Sequence, residues 1–266
     1  MLPASSRTTA ARARARAATA TAARPIVARR ARARAAPTTM ATAAPVIQLV
    51  VKGDPSTGAL GDCPFCHRAL LTLECKGIPY TKTLVDLDAK PEWLVEKAGG
   101  KVPLLERGGY WLPDSDEIVK FLEREFPAPS MAASADHGDV GSKLFPAFRG
   151  ALLADKGGAE EEAKLAELGA ELDRVDAYLS EKEGRGPLFG GDRMDATDAS
   201  FAPKLYHASV ALPKLKGTPP LFGGASGRPA LERYWRALTA LDAWKACDYG
   251  EAAILAGWER HARMHK

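Results

Sequence analysis

VIQLVVKGDPSTGALGDCPFCH, residues 46–67, holds the order of elements that decides the fold: an apolar β-branched run, a turn-rich stretch, then a cysteine pair. Val46–Val51 is bounded by Pro45 and by Lys52-Gly53, as expected of a short buried strand. Gly, Pro and Asp mark the stretch to Asp62 as a loop. Pro64 falls where a first helical turn tolerates proline, Ala69, Leu70, Leu73 and Ile78 recur at near-helical spacing, and Gly77 before Pro79 ends that helix.

Outward from this unit, Tyr80–Val85 reads as a second strand and Pro91–Ala98 as a short helix. Gly99-Gly100-Lys101-Val102-Pro103-Leu104-Leu105 leads into a third strand, and Gly108-Gly109 turns it back into Tyr110–Leu112. Ser115 or Asp114 can cap a helix to Phe126 that carries Ile118, Val119 and Leu122 on one face. Alternating strands and helices with a closing hairpin predict an α/β, thioredoxin-like domain over residues 46–127. Residues 128–141 are rich in Pro, Ala, Ser and Gly and read as a linker. Residues 142–266 show helical periodicity and no convincing strand, which predicts an all-α second domain. Its strongest segment, Ala159–Lys182, puts Leu165, Leu168, Leu172, Val175 and Leu179 on one stripe. Asp195-Ala196-Thr197-Asp198 has the form of a capping box opening a helix with Phe201, Leu205 and Val210, and further helices carry Trp235, Leu238, Trp244 and Ile254.

Charge divides the chain. Residues 1–45 hold nine arginines and no acid; removing those nine from the 37 basic residues leaves 28 against 33 acidic ones, a net of −5 for the rest. A mildly acidic body argues against nucleic acid as a partner. No run reaches 18 consecutive apolar residues, so no stable membrane insertion is expected. Residues 1–45 are Ala, Arg, Thr and Ser with scattered Pro and lack the apolar segment of a secretory signal, which is the composition of an organellar transit peptide, disordered and removed near Met40–Pro45. A disordered basic arm is the competing reading, and composition alone does not separate plastid from mitochondrion.

Chemistry concentrates at Gly61-Asp62-Cys63-Pro64-Phe65-Cys66-His67. A thiol becomes nucleophilic when ionised, and a helix N-terminus favours the thiolate through its open amides and positive dipole end. Cys63 holds that place, with Cys66 one turn inward; Asp62 opposes ionisation and is read as a substrate contact whose electrostatic cost the helix end offsets. Three other readings compete. A zinc site needs four ligands, and no second Cys/His pair is present. Cys-x-x-Cys-His also matches covalent haem attachment. Two buried helical cysteines would have no chemistry at all. Strand-then-helix context favours thiol redox chemistry, with no metal. Val102-Pro103 adds a second element, because a cis proline there turns the Val102 amide and carbonyl toward the thiol, where a peptide-like ligand can pair as an added strand. Asp114-Ser115, opening a helix, can hold a carboxylate. A ligand with an amino-acid head, a backbone middle and a thiol end fits all three, and glutathione has those parts.

The same residues resemble the glutathione transferase superfamily, and more closely its plant dehydroascorbate reductases, from about Val46 to Trp258. The likeness is carried by Lys52, Leu60-Gly61-Asp62-Cys63-Pro64-Phe65, Leu70-Leu71-Thr72-Leu73-Glu74, Lys90-Pro91-Glu92-Trp93, Gly100-Lys101-Val102-Pro103, Asp114-Ser115-Asp116, Ala202-Pro203-Lys204-Leu205-Tyr206-His207 and Gly257-Trp258. It implies the two-domain glutathione transferase fold, catalysis by Cys63, and glutathione contacts at Lys52, Asp62, Lys90, Val102, Pro103, Asp114 and Ser115. It implies a dehydroascorbate or ascorbate pocket at Lys52, Asp62, His207 and Trp258, glutathione as co-substrate without a bound cofactor, a monomer, and the chloroplast stroma in preference to the mitochondrion. Two departures stand out: Cys66 replaces a usual serine and could resolve an oxidised Cys63, and the segment between Lys52 and Cys63 is one residue shorter. An omega-like thiol transferase and a chloride-intracellular-channel-like protein share the Cys-Pro-Phe motif and are the alternatives.

Overall fold

The computed structural model describes residues 46–182 and 184–264; the expected transit peptide, residues 1–45, lies outside them. At the centre is β1, Ile47–Asp54, paired in parallel with β3, Tyr80–Val85, and antiparallel with β4, Leu104–Arg107. β4 in turn pairs antiparallel with β5, Tyr110–Pro113. The apolar run of β1 is continuous because both faces of the sheet are covered. Ile47, Leu49 and Val51 join the core formed with α1, Pro64–Lys76, and α3, Ser115–Glu125, whereas Val50 packs with Val85 and Leu104 against Leu94 of α2, Glu92–Ala98.

The stretch expected to be a loop contains a further strand, β2, Ala59–Leu60, which pairs back onto Gly53 and Asp54. The Asp54 carboxylate accepts the Ser56 amide and hydroxyl and the Thr57 hydroxyl, and Gly58 supplies a left-handed turn position at φ 77°. Two residues per strand are too few to leave an alternating pattern in the sequence. The hairpin has a consequence for the site: Gly61 N donates to Lys52 O at 2.9 Å, so the residues following β1 and preceding α1 are held side by side.

Residues 128–141 cross from the sheet domain to the helices and are themselves packed. Met131 and His137 are buried, and Lys76, with no exposed side chain, donates from Nζ to Glu123 Oε2 at 2.6 Å and to Pro129 O at 2.7 Å. Beyond them come α4 (Leu144–Leu153), α5 (Ala159–Glu181), α6 (Ala196–Ala211), α7 (Pro229–Ala240), α8 (Asp242–Cys247) and α9 (Gly250–Met264). The capping box at the head of α6 forms: Asp195 Oδ1 accepts the Thr197 and Asp198 amides, and Asp198 Oδ2 accepts the Asp195 amide. Asp198 also accepts the Phe189 and Gly190 amides, tying the preceding turn to the helix. A single apolar core runs from the sheet through α1 into α4–α9. The cysteine-bearing helix is thus clamped between sheet and helices, and its N-terminus opens where the two meet.

Candidate active site

Cys63 is the N-cap of α1, and its Sγ accepts the Cys66 amide at 3.3 Å. Pro64 occupies the first turn without loss, since no intrahelical partner awaits its nitrogen. The Cys63 thiol is held below its ordinary pKa, chiefly by the neighbouring Cys66 thiol, then by the Cys66 and Phe65 amides and the Lys52 ammonium, all against the effect of burial. Helix amides, the cause expected from sequence, thus act together with a neighbouring side chain. Burial pushes the Cys66 thiol well above its usual range, and an ionised neighbour adds to this. The pair is asymmetric: one sulfur is prepared to ionise, and the other stays a proton donor.

Asp62 is not left to repel the thiolate. Its Oδ1 accepts Lys52 Nζ at 2.6 Å, so the electrostatic cost that sequence reading assigned to the helix end is met by an ion pair. The hairpin at β2 is what brings the two together, and it settles where the Lys52 ammonium lies. Helix α9 closes over the pair at Gly257, where a Cβ would stand 1.6 Å from Asp62 Oδ2. Only glycine permits that approach.

Two hollows meet near Cys63. A cavity of about 480 Å³ is lined by Lys52, Asp62, Cys63, Phe65, His207 and Trp258, among others. A cleft of about 550 Å³ lies on the other side of Phe65 and is lined by Val102, Pro103, Asp114 and Ser115. Phe65, 41% exposed, borders both. Within the cleft the Val102–Pro103 bond is cis, as expected. Asp114 caps α3 by accepting the Asp116 and Glu117 amides, and it does so at φ 75°, a conformation that costs a non-glycine residue on the order of 1–3 kcal/mol and that concentrates at ligand sites. Ser115 is buried at the start of that helix. Lys90 lines neither hollow; its chain lies against Gly100.

His207 lines the cavity with both ring nitrogens engaged. Trp258 Nε1 can only donate, and it meets His207 Nδ1 at 2.8 Å; the proton of the neutral ring therefore sits on Nε2, which donates to the Tyr249 hydroxyl at 2.8 Å. Burial first, then the Lys52 charge, push this histidine down to about 3. His67 is fully buried, its ring 4.5 Å from that of Trp244 and 5.0 Å from that of Tyr249, and neither of its nitrogens has a partner. Among the described residues no group of three or more His, Cys, Asp or Glu is arranged to hold a metal, and no helix is long and apolar enough to cross a membrane.

Residues 62–125 match the model of the glutathione S-transferase N-terminal domain. The chain is 36% identical over 221 residues to the chloroplastic glutathione S-transferase DHAR3 of Arabidopsis thaliana, covering 82% of each. The probable cytosolic glutathione S-transferase DHAR1 of Oryza sativa subsp. japonica is 42% identical, over 62% of this chain and 75% of its own. The crystal structure of Chlamydomonas reinhardtii dehydroascorbate reductase superposes with a TM-score of 0.76 at 47% identity, covering 81% of this chain and 98% of that one. The chain belongs to the dehydroascorbate reductases of the glutathione transferase superfamily. The fold and the family read from sequence are both correct.

Within this family frame, the structure adds residues that the sequence did not single out. Phe145 and Arg149 of α4 and Arg260 of α9 line the cavity, and Tyr249 sits behind His207. Nothing in the sequence ties α4 to Cys63; the link is a tertiary contact between Phe145 and Phe65, with ring centroids 5.8 Å apart. The Tyr249 link is equally a product of helix packing.

Proposed function

We propose that this chain reduces dehydroascorbate to ascorbate with glutathione as electron donor, Cys63 being the nucleophile. The observation that carries the reading is the position of Cys63: a thiol with a lowered pKa, at a helix N-cap, where a peptide-sized cleft and a second cavity meet. Glutathione occupies the cleft, its backbone pairing with Val102 beside Pro103 and its amino-acid head at Asp114 and Ser115. Dehydroascorbate enters the cavity, facing the Lys52–Asp62 pair and the His207–Trp258 wall. Lys90 acts from outside the hollows, on the glutathione side.

The electrons balance through three steps. Cys63 thiolate, dehydroascorbate and water give Cys63 sulfenic acid and the ascorbate monoanion; the sulfur loses the two electrons that the substrate gains. Glutathione thiol condenses with the sulfenic acid, forming a mixed disulfide and releasing water. A second glutathione thiolate attacks the glutathione sulfur of that disulfide, and the bonding pair leaves on Cys63, regenerating its thiolate and releasing oxidised glutathione. Cys66, buried and with a raised pKa, serves the ionisation of Cys63 rather than resolution of the disulfide. The protein works in the chloroplast stroma, a reading that rests on the Arg-rich, acid-free residues 1–45 and on a chloroplastic relative.

Cys63→Ser decides the reading. Glutathione-dependent dehydroascorbate reduction, followed by ascorbate absorbance, is expected to fall to the uncatalysed level while far-UV circular dichroism stays unchanged. Retention of more than a small fraction of turnover would remove Cys63 from the mechanism. Parallel assay with a glutathione mixed disulfide of a small thiol separates this activity from that of a general thiol transferase.

A further inference from the structure

The cavity lining balances three cations, Lys52, Arg149 and Arg260, against three acids, Asp62, Asp86 and Asp88, yet one of the cations has no anionic partner among the described residues. Of its cationic side chains, Lys52 is neutralised by Asp62 and Arg260 by Asp88. Arg149 is exposed, faces the same space, and has neither a hydrogen bond nor an ion pair with any described residue. Its place on α4 is set by Phe145, one turn earlier on the same helix face. The Phe145 ring packs edge-on against Phe65, two residues after Cys63, and lies 6.5 Å from the ring of Trp258. Arg149 therefore stands about 6 Å farther along the helix than the rings that wall in the thiol. An extended tripeptide spans about 10 Å, longer than that step along the helix.

The reaction supplies an anion with that reach. Once Cys63 carries a mixed disulfide, the bound glutathione fills the cleft at Val102, Pro103, Asp114 and Ser115, and the resolving glutathione approaches through the other cavity. Dehydroascorbate is uncharged, whereas glutathione carries a carboxylate at each end, on either side of its central thiol, and a net negative charge. We propose that Arg149 binds a carboxylate of the second, resolving glutathione, so that the cavity serves dehydroascorbate in one half-reaction and an anionic thiol in the other. The inference rests on the reading of Cys63 above. In the step it assists, the incoming sulfur forms a bond to the glutathione sulfur of the mixed disulfide, the bond to Cys63 breaks, and the electron pair remains on Cys63 as thiolate.

The test uses the full chain loaded as the Cys63–glutathione mixed disulfide, with loading checked by intact mass, and follows its resolution by glutathione or by the uncharged thiol 2-mercaptoethanol. Arg149→Gln is expected to slow resolution by glutathione about three- to tenfold at low ionic strength, to leave resolution by 2-mercaptoethanol unchanged, and to lose its effect as salt rises. Arg149→Lys is expected to restore most of the rate. Equal slowing with both thiols, or no slowing with glutathione, overturns the assignment of Arg149. Failure of the mixed disulfide to form on Cys63 at all overturns the underlying mechanism and the subsite with it, and intact mass distinguishes that outcome from the others.

Discussion

Replacing Cys66 with alanine removes the largest influence that lowers the Cys63 pKa, while the helix amides and Lys52 stay in place. A hydrogen bond to a charged acceptor contributes about 1.5–3 kcal/mol. Its loss raises the Cys63 pKa, and about 1.4 kcal/mol corresponds to a factor of ten in the thiol–thiolate balance. Cys63 is only 8% exposed, so solvent does little to screen the change. Thiolate population below the pKa then falls about ten- to a hundredfold, but each remaining thiolate is a better nucleophile, with a Brønsted slope of about 0.4–0.5. The net expectation is iodoacetamide alkylation of Cys63 slowed by about 3- to 16-fold at a pH below both pKa values. Cys66→Ser keeps a donor at the same position and should alkylate close to the wild-type rate. The assay is the pH profile of alkylation, with peptide mapping to confirm that Cys63 reacts. An alanine variant whose profile overlays that of wild type would refute the role given to Cys66, as would a serine variant shifted as far as the alanine one.

Two further expectations concern the surroundings of the thiol. His67 and His207 are each pushed down to about 3 by burial, below their ordinary 6.5. Between those values the unfolded chain binds protons that the folded chain does not, so stability rises with pH across roughly 3 to 6.5 and is lost as pH falls below 6.5, by about 1.4 kcal/mol per pH unit for each ring. His67→Phe removes one of these rings together with two unpartnered buried nitrogens; thermal unfolding at pH 6 should rise by at least about 2 °C and its acid-side slope should flatten. An unchanged slope would mean that His67 is not neutral and buried in solution. Gly257→Ala places a methyl within 1.6 Å of Asp62 Oδ2 and forces the carboxylate off Lys52. Catalytic efficiency with dehydroascorbate is expected to drop at least about tenfold, with the helix content retained; wild-type kinetics would show that Asp62 does not need its present position.

Much of the fold was legible because local rules and tertiary structure agree. β1 announced itself as a continuous apolar run because both sheet faces are covered, and α1 because Pro64 and Gly77 mark its ends with side-chain chemistry that needs no partner. The capping box at Asp195 and Asp198 is read from four adjacent residues and forms as read. Hairpin strand β2 escaped notice because its pairing is only two residues long. The thiol, the Val102–Pro103 turn and Asp114-Ser115 were visible for the same reason as α1: each is a short string whose backbone role its own residues dictate.

What surrounds that thiol obeys a different rule. Sequence by itself determined the α/β-then-α order, the place of Cys63 at the start of α1 and the turns at Val102-Pro103 and Asp114-Ser115, since these depend on contacts within a few residues or on regular strand and helix periods. Only the tertiary structure decided that Lys52 neutralises Asp62, that Trp258 fixes the proton of His207, and that Arg149 of α4 faces the same cavity. Lys52 and Asp62 are ten residues apart, and His207 and Trp258 are 51 apart. Charge and hydrogen bonding act over a few ångströms of space, whatever the distance along the chain, and which side chains come that close is settled by packing two domains around one helix end.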